Sequence, residues 1–367
     1  MKTIFKIIAG LLIGLIAYLA LWPVAIKPAA WTSPPHQGFD GIYAANTKLA
    51  DLERLPIGDN HGPEDAVIAI ENGREIIYVT SQSGDIMRVD PQEKTANLFA
   101  NTGGASLGME RDAAGNFIVA DAYQGLIKVS PDGKTVKVLT DHIGDSPILY
   151  ADDLDIASDG MIYFTDASTR FGAQASGSTM AGSLLELMEH GKSGRVLSYN
   201  PATQKTALIK DGLSFANGLA MCPDDACILV NETGEYAVRR IWLTGERAGQ
   251  MDTIVDNLPG FPDNINRGAM VDGRQSYWLG LASPRNAIID KWSEKPALRK
   301  MAQRLPAALR PKATYYGVVI QIDEDGTILQ TLQDPSGAYP VTTGLIEGAE
   351  HYYITSLESH DLGRMKK

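Results

Sequence analysis

Gly84-Asp85-Ile86-Met87-Arg88-Val89-Asp90-Pro91 reads as a glycine turn, an alternating strand and a proline stop. It recurs 41 residues on as Gly125-Leu126-Ile127-Lys128-Val129-Ser130-Pro131. Gly194-Arg195-Val196-Leu197-Ser198-Tyr199-Asn200-Pro201 is a third copy, and Gly317-Val318-Val319-Ile320-Gln321-Ile322-Asp323 a weaker fourth. A second phrase runs in phase with the first, from Asp112 to Asp121 and again from Ser158 to Asp166. Apolar residues alternate in these segments, where helical repeats of similar length would show a 3.6-residue period. A unit of roughly 40–50 residues carrying four short strands is the signature of a propeller blade. Counting both phrases predicts six blades, at 63–105, 106–149, 150–213, 214–260, 261–335 and 336–365. Thr47 to Leu55 is expected to complete the sixth, so that no sheet edge is left open. The fold class is all-β: a six-bladed β-propeller over 47–367.

Two stretches break the rhythm. Ser176 to Lys192 is a short insertion in blade three. Asn286 to Lys312 reads as one or two amphipathic helices, a small helical insertion in blade five that caps the axis or touches a membrane surface.

No charged residue lies between Lys6 and Lys27, and Ile7 to Ile26 is almost wholly apolar. Twenty such residues span ~30 Å as a helix, the thickness of the hydrocarbon core. A cleaved signal peptide has a shorter apolar region and a small-x-small site, and no convincing Ala-x-Ala follows here. The expectation is a transmembrane signal anchor over 1–26, with a cleaved signal as the other reading, and a Pro- and Ala-rich linker over 27–46. Lys2 and Lys6 place the N-terminus in the cytoplasm and the propeller on the periplasmic or extracytoplasmic side. The net charge of −11 argues against a nucleic-acid partner. The only two cysteines, Cys222 and Cys227, flank a four-residue turn. They could pair in an oxidising compartment or remain two thiols at a turn.

In a propeller the innermost strand of each blade lines the central channel, so residues at blade starts converge though distant in sequence. Glu64, Asp152-Asp153, Asn217 and Asp263-Asn264 all fall there. Each offers a hard carboxylate or amide oxygen, and no Cys or His is required. That donor set suits Ca²⁺, which takes 6–8 oxygen ligands. Any one of these residues alone would read as a turn cap; four at matching phase do not.

These residues also carry a resemblance. Gly62-Pro63-Glu64, Ala120-Asp121-Ala122-Tyr123-Gln124-Gly125-Leu126, Asp153-Leu154, Tyr163-Phe164-Thr165-Asp166, Phe215-Ala216-Asn217-Gly218 and Pro259-Gly260-Phe261-Pro262-Asp263-Asn264-Ile265 together resemble the strictosidine-synthase-like branch of six-bladed propellers, and more distantly paraoxonases and gluconolactonases. The resemblance covers nearly everything from Gly62 onward. It implies that Glu64, Asn217, Asp263 and Asn264 hold a catalytic calcium, with Asp152 standing where relatives carry Asn. It implies a second calcium at Asp65 and Asp153. Two positions depart from the pattern: Leu107 stands where paraoxonases carry a His base, and Thr343 where true strictosidine synthases carry a catalytic Glu. The expectation is therefore against strictosidine formation.

The implied activity is calcium-dependent hydrolysis of a small-molecule ester or lactone, of arylesterase or lactonase type, with Ca²⁺ polarising the carbonyl. The alternative is a non-catalytic ligand- or partner-binding propeller with a structural calcium. Asp263 and His61, three residues before Glu64, are the candidate catalytic side chains, with an exposed loop residue as the other reading of His61. Arg285 is a candidate for the substrate rim, or an ordinary solvated arginine. No Gly-x-Ser-x-Gly elbow is present, so a serine nucleophile has no support.

Overall fold

The structure, a computed structural model, describes residues 1–367. Six four-stranded antiparallel sheets surround one axis. Their first strands are Pro63–Glu71, Ser106–Arg111, Ala151–Ile156, Ala216–Met221, Gly260–Val271 and Thr342–Glu347. Each lies against the first strands of the neighbouring blades and so faces the channel. The blade starts agree with the repeat count. The sixth sheet is completed by the N-terminal strand Glu53–Pro56, which pairs antiparallel with Asp361–Lys366, Leu55 opposite Leu362. The closing strand thus lies slightly downstream of where the pattern placed it, and the ring has no open seam.

The core is divided among the blade interfaces. Leu229 and Val238 of blade four, for example, pack against Ile265, Leu279 and Ile320 of blade five. Equivalent apolar layers fill the other five seams. Alternation in the strands is what permits this, one set of side chains going into each seam. Cys222 and Cys227 are joined by a disulfide across the first turn of blade four.

Five helices lie outside the sheets. Helix α1 (Lys2–Leu21) is apolar and exposed along its length, fits a membrane anchor, and ends before Pro23. Helices α2 (Ala173–Ser176) and α3 (Thr179–Glu189) form the blade-three insertion. Helices α4 (Ala287–Lys291) and α5 (Pro296–Gln303) form that of blade five. Together α3, α4 and α5 make a cap over one end of the channel.

Residues 27–46, expected as a linker, are instead a strap, docked on this cap near residues 29–33 and on blade five through Phe39, Tyr43 and Asn46. Ala29 N–H donates to the Glu189 carbonyl at 2.9 Å and Trp31 N–H to that of Ser293 at 3.2 Å. The Trp31 indole stacks on His190 at 4.0 Å. A proline-rich segment makes few hydrogen bonds of its own, so its partners lie far away in sequence.

Candidate metal centre and pocket

All six inner strands carry the same irregularity. Between Pro63 and Ala66 the inner strand advances three residues while its partner advances two, and the same slip occurs at 106/109, 151/154, 216/219, 262/265 and 342/345. Each is a β-bulge, with one extra residue and a local bend that re-aims side chains. The bulged pairs are Glu64-Asp65, Leu107-Gly108, Asp152-Asp153, Asn217-Gly218, Asp263-Asn264 and Thr343-Gly344. The candidate ligands are therefore what six bulges at one height present to the axis.

Second-strand side chains satisfy the bulged backbone. Thr80 Oγ1 accepts from Asp65 N–H at 3.0 Å, Thr165 Oγ1 accepts from Asp153 N–H at 3.0 Å, and Asn231 Nδ2 donates to the Asp263 carbonyl at 2.6 Å. Glycine takes the second bulge position in alternate blades because the strands approach too closely for a side chain. A Cβ on Gly218 would lie 2.6 Å from Ile265 N, and one on Gly108 would lie 2.6 Å from Asp153 Cα.

In blades one and three the two members of a pair face different ends of the channel. Glu64, Leu107, Asp152, Asn217 and Asp263 form the floor of a cavity of about 720 Å³ beneath the cap. Its walls are mainly apolar, with Tyr150, Phe215, Phe261, Leu184, Met188 and Ile289 among them. Asp65 and Asp153 instead line a separate chamber of about 200 Å³ with Glu110, Asp155, Asn266 and Arg267. There Asp65 accepts from Met109 N–H (2.9 Å) and Asp153 from Leu219 N–H (2.7 Å), so each carboxylate ties its blade to the next.

Glu64, Asp65, Asp152, Asp153 and Asp263 are all at least 95 % buried, and none is ion-paired with a basic side chain. Buried charge without compensation is expensive. Burial, followed by the neighbouring carboxylates Asp65, Asp263, Asp152 and Asp153, pushes Glu64 well above the usual carboxylate range. Burial and then Asp263 do the same to Asp152. Asp263 is raised by burial to about 7, the adjacent Asn217 amide opposing the shift. Glu64 Oε2, Asn217 Oδ1 and Asn264 Oδ1 are buried oxygens with no hydrogen-bond partner. Orphaned acceptors of this kind fit a hard cation. Acidic side chains alone form no ready-made group of three, so the donor set depends on the two amides as well as the carboxylates.

Two expected site residues lie elsewhere. His61 is exposed, its ring 6.0 Å from that of His360, and it does not line the cavity. Its loop turns outward at Gly62, where φ is +66°. Arg285 is not at the rim: it is buried, donating to Asp290 Oδ2 (3.1 Å), Asn257 Oδ1 (2.6 Å) and Ser33 Oγ (2.7 Å), with its guanidinium over Tyr236. It fastens the strap. Thr343 donates to the Glu64 carbonyl at 2.6 Å. Asp121 and Asp166 end second strands and accept backbone N–H groups, Asp121 from Ala105 (3.1 Å) and Asp166 from Tyr150 (2.9 Å).

The sequence reading did not identify the pocket wall. Phe215 (φ +59°) and Val341 (φ +53°) both line it and both hold left-handed backbone. Such a conformation costs a bulky or β-branched residue roughly 1–3 kcal/mol and clusters at functional sites. Nothing in their local sequence signals it.

Comparison with known proteins places this geometry. The family model for strictosidine synthase matches residues 152–246, and that for the strictosidine synthase-like N-terminal region matches 41–89. The chain is 31% identical to the adipocyte plasma membrane-associated protein of Salmo salar over 364 residues, covering 92% of this chain and 82% of that one. It is 31% identical to the Bos taurus protein of the same name, covering 99% and 90%. Among solved structures, a gluconolactonase from Xanthomonas campestris superposes with a TM-score of 0.59 at 15% identity, covering 94% of this chain and 99% of that one. Regucalcin from Agrobacterium tumefaciens, a calcium-binding protein, superposes with a TM-score of 0.57 at 11% identity, covering 86% and 93%. At such identities these two share the fold.

Proposed function

The chain belongs to the strictosidine-synthase-like family, and from that premise we propose that it is a membrane-anchored, calcium-dependent hydrolase of esters or lactones. One observation carries the reading: Glu64, Asp152 and Asp263 are buried without cationic partners beside orphaned oxygens of Glu64, Asn217 and Asn264. Those five residues would hold the ion. Calcium bound there supplies a Lewis acid for a substrate carbonyl.

The chain's own residues do the rest. The apolar walls seat the organic part of the substrate and exclude water, which strengthens electrostatic interactions at the floor. None of the six histidines lines the cavity, so the base is a carboxylate. Of the two candidate catalytic side chains only Asp263 reaches the floor, which makes it the one placed to take a proton from water. The Tyr150 hydroxyl is occupied by the Thr179 carbonyl and Ser183, which leaves it a wall residue. Lys2 and Lys6 in the first turns of α1 support a cytoplasmic N-terminus with the propeller outside.

The test is turnover of phenyl acetate and of a γ-lactone by full-length protein, before and after EDTA and again after added Ca²⁺. Hydrolysis that EDTA abolishes and Ca²⁺ restores, and that falls about 10²-fold or more in Asp263→Ala, is the expected result. Full activity in Asp263→Ala overturns the site. The absence of histidine and the presence of Leu107 on the floor favour a second reading, a non-catalytic ligand-binding propeller with a structural calcium. Calcium binding without turnover of either substrate selects it.

A further inference from the structure

We propose that the helical cap lies on the membrane surface, held there by the anchor, and that the cavity takes its substrate from the bilayer as a lipophilic ester or lactone. The second half rests on the hydrolase reading; the first does not.

The anchor is fastened to the cap. Arg304, almost wholly buried, donates through Nε to the Trp22 carbonyl at 2.6 Å and through Nη1 to that of Leu19 at 2.7 Å. These are carbonyls at the C-terminal end of α1, which lack partners within the helix. In return the Tyr18 hydroxyl donates to the Arg304 carbonyl at 2.9 Å. Just beyond, Val24 and Ile26 enter an apolar cluster with Met188 of α3, Ile289 of α4 and Ala302 of α5. A membrane helix followed by a free tether would need none of this.

The junction also marks its own depth. Tyr18 and Trp22 pack together at the end of α1, their rings tilted by 42° with centroids 5.6 Å apart. Tyr and Trp concentrate at the boundary between hydrocarbon and headgroups. Arg304 is bonded to that same turn, so the end of α5 sits at the boundary too. Its chain neighbour Gln303 lines the cavity, and adjacent Cα atoms are only ~3.8 Å apart. The cavity wall and the membrane boundary therefore meet at one peptide bond.

The cap surface suits that position. Ile288, Met301 and Leu309 are exposed, Leu309 by 67%. Around them, five basic side chains that are not buried, Lys291, Lys295, Lys300, Arg310 and Lys312, stand against two acidic ones, Asp290 and Glu294, in a chain whose total charge is −11. Exposed apolar groups interspersed with lysine and arginine fit an interface with anionic headgroups.

The experiment uses full-length protein in lipid nanodiscs. Because Cys222 and Cys227 are disulfide-bonded, an introduced cysteine is the only free thiol. An environment-sensitive fluorophore is attached to Leu309→Cys, to Met301→Cys, and to Ile70→Cys at the opposite end of a blade-one inner strand. Brominated lipid should quench the label at 309 and 301 but not at 70, more strongly with anionic lipid present. Quenching at 309 no greater than at 70 overturns the membrane placement. Arg304→Ala should reduce quenching at 309 while α1 stays inserted; unchanged quenching removes Arg304 from the explanation. For the substrate, Leu309→Glu should slow hydrolysis of a long-chain ester dissolved in the nanodisc several-fold and spare a water-soluble short-chain ester. Equal effects on both overturn the bilayer route. Quenching at 309 with no hydrolysis by the wild type leaves the membrane placement standing and removes the hydrolase reading alone.

Discussion

Asn264 donates through Nδ2 to the backbone carbonyl of Glu64 at 3.0 Å, joining the inner strands of blades five and one across the channel. With its nitrogen committed, the amide oxygen has one orientation left, and that oxygen has no partner. One side chain thus both bridges two blades and offers a ligand. Asn264→Asp keeps the shape but loses the donor, and should cost about 1–3 kcal/mol of stability without metal. Asn264→Ala should abolish the rise in melting temperature that Ca²⁺ gives the wild type. Thermal unfolding with and without Ca²⁺ decides, and a full calcium response in Asn264→Ala would remove this residue from the site.

The raised carboxylates make a pH prediction with a definite sign. The Asp263 carboxyl titrates at about 7 in the folded chain against an ordinary 3.8. Between those values the metal-free folded state holds more protons than the unfolded chain, so its stability falls as pH rises. Glu64 and Asp152 shift in the same direction. EDTA-treated protein should lose on the order of a few kcal/mol between about pH 4 and 7, from Asp263 alone. Calcium, which holds the carboxylates ionised, should flatten that slope and bind more weakly in acid. Denaturant midpoints across this range are the measurement. A metal-free protein that gains stability toward pH 7 contradicts the account.

How much of this was legible in the sequence depends on where each feature gets its cause. Blades were readable because strand alternation and Gly or Asp-Gly turns are local properties, repeated at similar spacing. Glu64, Asn217 and Asp263 were readable through blade phase. The bulges that aim them were not, since the slip between Pro63 and Ala66 shows only against the partner strand. Arg285 and His61 were misplaced for a related reason. A loop side chain goes where its partners are, and those of Arg285, Ser33 and Asn257 among them, belong to other parts of the chain.

Gly218 offers a sharp test of the bulge geometry. A Cβ there would meet the Asp263 carbonyl oxygen, with Ile265 N at 2.6 Å and Asn264 C at 2.7 Å. All three are backbone atoms of the strand that presents two candidate ligands, so no side chain can swing aside. Gly218→Ala should cost about 1–3 kcal/mol and weaken calcium binding beyond that. Gly273→Ala has open space but strained backbone (φ +80°) at a turn far from the floor. It should lower stability while leaving calcium affinity unchanged. Calorimetric titration separates the two, and equal calcium affinities would sink the argument.

Arg299 bears on whether cap and propeller are independent in stability. Its guanidinium, completely buried, donates to the carbonyls of Met188 (3.2 Å), Glu189 (3.3 Å) and Ser293 (3.1 Å), and to that of Ala29 in the strap. The end of α3, the strap and the chain before α5 thus meet on one side chain, and no carboxylate shares it. Arg299→Met retains the packing of the stem but orphans those carbonyls, each at a cost of about 1–3 kcal/mol if water cannot reach it. None of the four acceptors belongs to a blade strand. The loss should therefore appear as opening of the cap, with faster protease cleavage within 286–312, while the main unfolding transition of the six sheets moves less. Because the cap roofs the cavity, ligand affinity should fall with it, and calcium affinity at Glu64 and Asp263 should not. A variant as resistant to cleavage as the wild type would show that the cap is held by its apolar contacts rather than by this arginine.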